Sequence, residues 1–163
     1  MPQAQPAKPT RGKASQPNAI ALLKADHAEV DEMFKEYEAT KEKADEGRKK
    51  SLAAKICKAL TVHATIEEEI FYPACEEVDD VDELLAEASV EHESLKRLIA
   101  DIEAGEPGSE EYDANVKVLG EYVKHHVKEE QDELFPKVKD SDLDLDELGR
   151  ELASRKADLM PGT

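Results

Sequence analysis

Apolar residues recur every three or four positions along four stretches of this chain, and this spacing predicts four amphipathic helices. In the first stretch, for example, Ile20, Leu23 and Val30 fall on one helical face. Each stretch also has one histidine within its apolar stripe; the four are His27, His63, His92 and His126. Helices of this kind pack their apolar stripes together. The pattern therefore predicts an all-α fold, an antiparallel four-helix bundle with histidines in its core.

Turn signals separate the predicted helices. The charged stretch 41–48 is expected to form the first turn, and Pro73 is expected to end or kink the second helix. The segment 105–108 contains two glycines and a proline and is followed by Ser109, a residue typical of helix N-caps. These signals predict short connections, which place consecutive helices antiparallel.

The chain divides into three predicted segments. Residues 1–17 are rich in proline and polar residues and are expected to be a disordered tail. Residues 18–138 are predicted to form the bundle. Residues 139–163 are predicted to form an acidic linker and a short C-terminal helix on the outside of the bundle, with Asp144 and Glu147 in a capping arrangement at its start.

One sequence motif occurs twice: a histidine, a glutamate four residues later and a proline ten residues later. The copies are His63, Glu67 and Pro73, and His126, Glu130 and Pro136. The two histidines are 63 positions apart, and so are the two prolines. A further histidine precedes each copy: His27 lies 36 positions before His63, and His92 lies 34 positions before His126. This repeat predicts that the bundle consists of two similar helix pairs that face each other.

Four histidines and two glutamates are thus predicted to share one core. A buried carboxylate without a partner costs several kcal/mol, and a pair of divalent metal ions would remove that cost. Carboxylates can bridge two cations while imidazoles complete each coordination sphere. The predicted metal ligands are His27, His63, Glu67, His92, His126 and Glu130. The spacing alone admits iron, zinc or manganese, and the alternative is a hydrogen-bonded core without a metal.

Other polar residues near these positions have simpler interpretations. His125 is expected at the rim, because it lies about 100° around the helix from His126. Five acidic residues are expected to be solvated, with the alternative that some orient a ligand histidine through its second ring nitrogen; they are Asp31, Glu68, Glu69, Glu91 and Glu129. Four tyrosines are expected to be packing residues, with the alternative that one near the metals donates a hydrogen bond at the site; they are Tyr37, Tyr72, Tyr112 and Tyr122.

Composition limits the partners and the location. With 39 acidic against 22 basic residues, the net charge of −17 argues against binding of nucleic acid or of an anionic membrane surface. The sequence shows neither a membrane-spanning stretch nor a secretory signal, so a cytoplasmic location is expected. Cys57 and Cys75 do not form a CxxC pair and are expected to be reduced thiols, with a disulfide or a redox role as the alternative.

The order His-x-x-x-Glu differs from the Glu-x-x-His of ferritin-like bundles. Together with Tyr72-Pro73 and Phe135-Pro136, it makes residues 18–138 resemble the hemerythrin-like family, the HHE cation-binding domains. The resemblance implies a four-helix bundle that holds a non-haem di-iron centre, and the six predicted ligands match the ligands of the family. One departure is Lys96, at the place where oxygen-carrying members have a further histidine.

The resemblance leaves two classes of function open. The first is a protein that binds or senses O2 or NO, or handles iron under redox stress. The second is a di-iron enzyme that acts on peroxide or oxygen. Because the sequence shows no Ser-His-Asp order, no phosphate-binding loop and no substrate domain, the first class is favoured. Lys96 is expected to point to solvent or to attract anions towards the metals, and to leave one iron more accessible.

Overall fold

The computed structural model describes residues 17–40 and 45–161, and within these ranges all regular secondary structure is helical. The described helices are α1 (Ala19–Thr40), α2 (Glu46–Ile66), α3 (Asp82–Ala104), α4 (Glu110–Glu129) and α5 (Leu145–Leu159). Helix α2 continues through a π-helical turn at Glu67–Phe71 to an α-helical end at Tyr72–Cys75. Helix α4 continues in the same way, through a π-helical turn at Glu130–Leu134 to an α-helical end at Phe135–Lys139. The predicted all-α fold is therefore confirmed.

Helices α1 to α4 form a closed bundle. Helix α1 packs against α2 and α4, and α3 packs against α2 and α4. The start of α1 lies beside the end of α2, because the Asp26 carboxylate bonds to His63 at 3.0 Å. At the opposite end of the bundle, the Tyr37 hydroxyl of α1 donates to Asp113 of α4 at 2.7 Å, and Lys49 of α2 pairs with the same carboxylate at 3.1 Å. Consecutive helices are thus antiparallel, as the short connections predict.

The apolar core consists of two clusters along the bundle axis. One includes the start of α1, the ends of α2 and α4 and two residues of α5. The other includes the middle and end of α1, the start of α2, the end of α3 and the start of α4. Six buried polar residues lie near the junction of the two clusters: His27, His63, Glu67, His92, His126 and Glu130. A polar layer therefore interrupts the hydrophobic interior, which is costly unless its atoms are satisfied.

Side-chain caps fix the starts of three helices. The carboxylate of Asp45 accepts from Arg48 N, the Ser109 hydroxyl accepts from Tyr112 N, and Asp144 accepts from Glu147 N, each at 3.0 or 3.1 Å. The caps predicted at Ser109 and Asp144 are confirmed.

The cap at Asp45 also corrects a prediction. The segment 41–48 was expected to be a turn, but α2 begins at Glu46, so Gly47 and Arg48 are helical. Residues 41–44 and residues 1–16 of the tail predicted at 1–17 lie outside the described residues.

The prediction that Pro73 ends or kinks the second helix is refined by the structure. The helix continues through Pro73 to Cys75, because a π-helical turn precedes the proline. In this turn the N–H of Tyr72 bonds to the carbonyl of Glu67, five residues back. A π turn inserts an extra residue and changes the hydrogen-bond ladder, which accommodates a proline that lacks an N–H. The same arrangement precedes Pro136 in α4.

Helix α5 packs on the outside of α1 and α2, as expected. Leu152 is fully buried at this contact, and Gly149 is also buried there. Within residues 17–40 and 45–161, each helix falls short of the combined length and apolarity that a membrane span requires.

Replacement of Gly149 by alanine is expected to loosen α5. A Cβ at this position would lie 2.6 Å from the carbonyl oxygen of Pro17 and 2.9 Å from Ala19 N, and these backbone atoms can give way only if α5 moves. We expect a loss of about 1–3 kcal/mol in the free energy of unfolding, measured by urea denaturation. Gly47→Ala is the control, because its nearest neighbour would be 3.6 Å away and the residue is exposed in a helix. That variant should be unchanged or more stable by about 0.5–1 kcal/mol. Equal stability of the two variants would contradict the packing of α5.

Candidate metal centre

The structure brings all six predicted site residues together in the polar layer of the bundle. The four histidines form two pairs with the same spacing. The ring centroids of His27 and His63 are 4.9 Å apart, and so are those of His92 and His126. Each pair comes from one helix pair, α1 with α2 and α3 with α4. The two predicted helix-pair repeats therefore each supply one pair of imidazoles.

Two glutamates lie between the histidine pairs. Glu67 is fully buried, and its Oε1 is 3.2 Å from His63 Nε2 and 3.3 Å from His92 Nε2. Glu130 reaches both pairs with different oxygens, because Oε1 is 3.1 Å from His27 Nε2 and Oε2 is 3.4 Å from His126 Nε2. Each carboxylate thus contacts both pairs.

Several atoms of this layer are buried and lack hydrogen-bond partners within the described part of the chain. They are His27 Nε2, His63 Nε2, both carboxylate oxygens of Glu67 and Glu130 Oε1. Contacts of 3.1 and 3.2 Å join some of them, but these contacts are not hydrogen bonds. Carboxylate oxygens and imidazole nitrogens that converge in this way are suitable donors for a divalent transition metal. The donor set therefore fits metal ions.

The donors form two overlapping groups within which all ligand atoms lie inside 4.8 Å of one another. One group contains His27, His63, Glu67 and Glu130, and the other contains Glu67, His92 and His126. Glu67 belongs to both. Such an arrangement can hold two cations with a carboxylate between them.

A second layer of side chains orients the four histidines through their other ring nitrogen, Nδ1. His63 Nδ1 donates to Asp26 at 3.0 Å, and His92 Nδ1 donates to Glu68 at 3.0 Å. The same nitrogen of His126 donates to Glu91 and that of His27 to Gln131, each at 2.7 Å. In the neutral imidazole that binds a metal, the proton then lies on Nδ1 and the lone pair of Nε2 is directed at the carboxylates.

These outer partners follow a cyclic pattern around the bundle. Each helix supplies the hydrogen-bond partner for the histidine of the next helix in the chain, and α4 supplies the partner for the histidine of α1. Glu68 and Glu91, for which solvation was the first expectation, therefore take the alternative role of orienting a histidine. Asp26 and Gln131 were not predicted. Both directly adjoin a predicted ligand in sequence, which is the signal that could have identified them.

The two carboxylates attract positive charge to the centre. Burial opposes protonation of His63, but the charge of Glu67 and the hydrogen bond with Asp26 outweigh it and raise the pKa of His63 to about 10. Burial likewise opposes protonation of His126, but hydrogen bonds with Glu130 and Glu91 raise its pKa to about 11. These shifts indicate a site that favours cations, even though desolvation works against them.

The π-helical turns place one aromatic side chain beside each histidine pair. Tyr72 follows Glu67 by five residues, and its hydroxyl donates to Glu130 Oε2 at 2.6 Å. This hydroxyl is also 3.4 Å from Nε2 of both His92 and His126. Phe135 follows Glu130 by five residues and stacks on His27 with a ring separation of 6.0 Å. The two halves thus differ: one pair faces a hydroxyl and the other faces a phenyl ring.

Among the four tyrosines, only Tyr72 contacts the candidate centre within the described residues. Tyr37 bonds to Asp113 away from the centre, and Tyr122 is 52% exposed. Burial and the nearby charge of Glu130 raise the pKa of Tyr72 well above its ordinary value, so its hydroxyl keeps its proton at neutral pH.

Lys96 points away from the centre. Its ammonium lies 2.7 Å from Oε1 of Glu68 and 3.4 Å from Glu93. The other carboxylate oxygen of Glu68 accepts the hydrogen bond from His92. Its side chain is 46% exposed. Of the two expectations for Lys96, orientation towards solvent therefore holds, with the addition that it neutralises an outer partner of His92.

The remaining predicted residues lie at the surface. His125 is at the rim, as expected, with 69% of its side chain exposed, and it contacts Glu129 at 3.2 Å and Glu91 at 3.5 Å. Glu69 pairs with Arg155 of α5 at 2.7 Å, and Asp31 pairs with Lys35 at 3.0 Å.

Both cysteines are free thiols, as the sequence predicts, and both are buried. Burial raises the pKa of Cys57 and of Cys75 to about 12, so both side chains remain thiols at neutral pH.

A DNA nickase from Nostoc sp. (strain PCC 7120 / SAG 25.82 / UTEX 2576) is 30% identical over 127 residues, which are 76% of this chain and 34% of that protein. The chain thus spans about a third of the length of this relative.

A crystal structure of a hemerythrin HHE cation-binding domain-containing protein from Mycobacterium kansasii superposes with a TM-score of 0.74. The match covers 88% of this chain and 87% of that one at 22% identity, so it supports the fold. Residues 18–138 also match the hemerythrin HHE cation-binding domain as a family. With its helical bundle and its buried histidines and glutamates, the chain belongs to the hemerythrin HHE cation-binding family.

Proposed function

We propose that this protein holds a pair of iron ions between its two histidine pairs and uses them to bind or sense O2 or NO. The observation that carries the proposal is the pair of buried carboxylates, each of which contacts both histidine pairs. The proposed ligands are His27 and His63 on one side, His92 and His126 on the other, and Glu67 and Glu130 between them.

Iron is the metal that membership of this family favours, and it agrees with a mixed set of imidazole and carboxylate donors. When bound, a non-haem iron pair supplies the open coordination positions and redox electrons that diatomic ligands require. The protein itself orients the imidazoles and keeps water away. Buried apolar side chains, among them Phe71 and Phe135, cover the centre.

The hydroxyl of Tyr72 gives the two sides of the centre different chemistry. It is the buried hydrogen-bond donor beside His92 and His126, whereas Phe135 offers His27 only a ring face. We therefore assign Tyr72 as the residue that stabilises a bound diatomic molecule by hydrogen bonding. This role requires Tyr72 to redirect its bond from Glu130.

Lys96 supports sensing over reversible transport. Its ion pair with Glu68 holds the ammonium outside the centre, so no third imidazole supplements His92 and His126. A metal on that side would have fewer protein ligands and be more open to O2, NO and peroxide. We propose that this centre oxidises readily and responds to redox stress.

A di-iron enzyme acting on peroxide or oxygen is the second candidate. The same Tyr72 hydroxyl favours it, because a buried proton donor beside the centre can protonate a leaving oxygen atom. Nicking of DNA, the activity in the name of the Nostoc relative, is not proposed, because the match covers only about a third of that protein and 39 acidic residues oppose binding to phosphates.

Removal of either central carboxylate is expected to abolish metal binding. After anaerobic loading with ferrous iron, elemental analysis should find about two irons per chain in the parent protein and far less in Glu67→Ala and Glu130→Ala, because each loses an oxygen donor shared by both pairs. Glu69→Ala is the control, since Glu69 lies in the same π turn but pairs with Arg155 at the surface. The loaded parent should also gain about 2.7 kcal/mol of stability at a free iron concentration of 100 times Kd. Equal iron in all the proteins would refute the assigned ligands.

Removal of an outer partner is expected to weaken metal binding without abolishing it. Glu91→Ala deprives His126 Nδ1 of its acceptor, and such losses typically reduce metal affinity about 10–100-fold. Competition with a coloured chelator measures the change. Glu87→Ala is the control, because Glu87 lies one turn earlier on α3 and interacts with Glu129. If both variants bind as tightly as the parent, the outer layer does not orient the ligands.

The reaction of the reduced protein with oxygen distinguishes a sensor from a carrier. The ferrous, iron-loaded protein is exposed to O2 and degassed over several cycles while its absorption spectrum is followed. We expect the ferrous form to recover only partly in each cycle, and Lys96→His, which places an imidazole one turn after His92, to raise the recovered fraction. Full recovery in the parent protein would show a reversible carrier and contradict the proposed sensing role.

A further inference from the structure

A cleft of about 620 Å³ lies between α1 and α4, beside the candidate metal centre. Its apolar surface includes Phe34, Val123 and Val127. Gly120 also lines it, and a Cβ there would lie 3.2 Å from the Phe34 ring, so the glycine lets this ring lie close to α4. The volume falls within the range of small-molecule pockets, and the lining is mostly apolar, as in such pockets.

The charge of the cleft differs from that of the whole chain. Four lysines and three acidic residues line it, an excess of one positive charge in a protein whose net charge is −17. Lys35 pairs with Asp31 at 3.0 Å, but Lys24, Lys117 and Lys124 have no ion-pair partner among the residues that the structure describes. Lysine ammonium groups act as point charges and suit a single anionic group.

The inner end of the cleft is also adapted to an anion. His27 and Gln131 both line it, and they are joined by the bond from His27 Nδ1 to Gln131 Oε1. The three other histidines of the centre have carboxylates as their outer partners, whereas the histidine at this cleft has a neutral amide. A carboxylate in this place would repel an anion, and the amide does not.

We propose that this cleft binds a medium-chain fatty carboxylate, with its alkyl chain on the apolar surface and its carboxylate beside one of the unpaired lysines that line the cleft. An alkyl chain matches the apolar lining, and one negative charge matches the excess positive charge. The site is distinct from the proposed iron ligands except that His27 borders it. Binding should therefore occur in the metal-free protein as well as in the iron-loaded one.

The test is a titration of the full-length, metal-free protein with dodecanoate below its micellar concentration, followed by calorimetry. Saturable binding of one molecule per chain is expected. Hexanoate and dodecyltrimethylammonium should bind much more weakly, because the first has a short chain and the second has the wrong charge. Absence of saturable binding, or equal binding of the cationic detergent, would overturn the proposal. Because metal-free protein is used, the outcome does not depend on whether the chain binds iron.

Variants locate the carboxylate. Combined replacement of Lys24, Lys117 and Lys124 by glutamine should weaken dodecanoate binding about tenfold or more, since the unpaired positive charges that attract the carboxylate are lost. Lys55→Gln is the control, because Lys55 is exposed on α2 outside the cleft. All four positions are exposed, so folding should be retained, and circular dichroism checks this. Unchanged affinity in the triple variant would overturn the assignment.

A spin-labelled fatty carboxylate locates the alkyl chain. It should broaden the amide resonances of Ala28, Phe34 and Gly120, which line the cleft, and spare those of Ala54 and Cys57, which line a separate cleft. Broadening confined to Ala54 and Cys57 would place the ligand elsewhere and refute the proposal. Sedimentation equilibrium tests whether a second copy of the chain occupies the cleft instead. A dimer that the triple variant abolishes would show this and overturn the proposal.

Discussion

The burial of two carboxylates in the middle of a helical bundle is the constraint on which the rest of this structure depends. Glu67 is fully buried, and neither of its oxygens has a hydrogen-bond partner within the described residues. A buried negative charge is unfavourable unless a cation compensates it. The four histidines supply nitrogen donors at the same level, and this arrangement is the physical basis for the proposed metal pair. The hydrophobic clusters on either side then keep the layer dry.

The ring of outer partners links the geometry of the centre to the packing of the whole bundle. Asp26 supports the histidine of α2, Glu68 that of α3, Glu91 that of α4 and Gln131 that of α1. Because each bond crosses between helices, a shift of any helix would rotate an imidazole away from the carboxylates. The centre therefore depends on the packing of all four helices. The single amide in the ring lies where the cleft between α1 and α4 meets the centre.

The apolar stripes of the helices and the shared helix face of the repeated His-x-x-x-Glu motif could be predicted from the sequence, because both follow the spacing of 3.6 residues per turn. The position of Tyr72 could not. In an uninterrupted α-helix, a residue five positions after Glu67 would lie about 140° around the helix from it. The π-helical turn brings both to the same face, and the sequence signals only the proline that follows. Asp26 and Gln131 were missed because their roles depend on which residue of the neighbouring helix they face, which is set by tertiary packing.

Crystals of the iron-loaded protein measured at the iron absorption edge would test the central claim most directly. The account predicts two peaks of anomalous scattering in the polar layer, one beside His27 and His63 and the other beside His92 and His126, with Glu67 and Glu130 between them. A single peak bound by one histidine pair, or iron bound only at the surface around Glu91, His125 and Glu129, would contradict it.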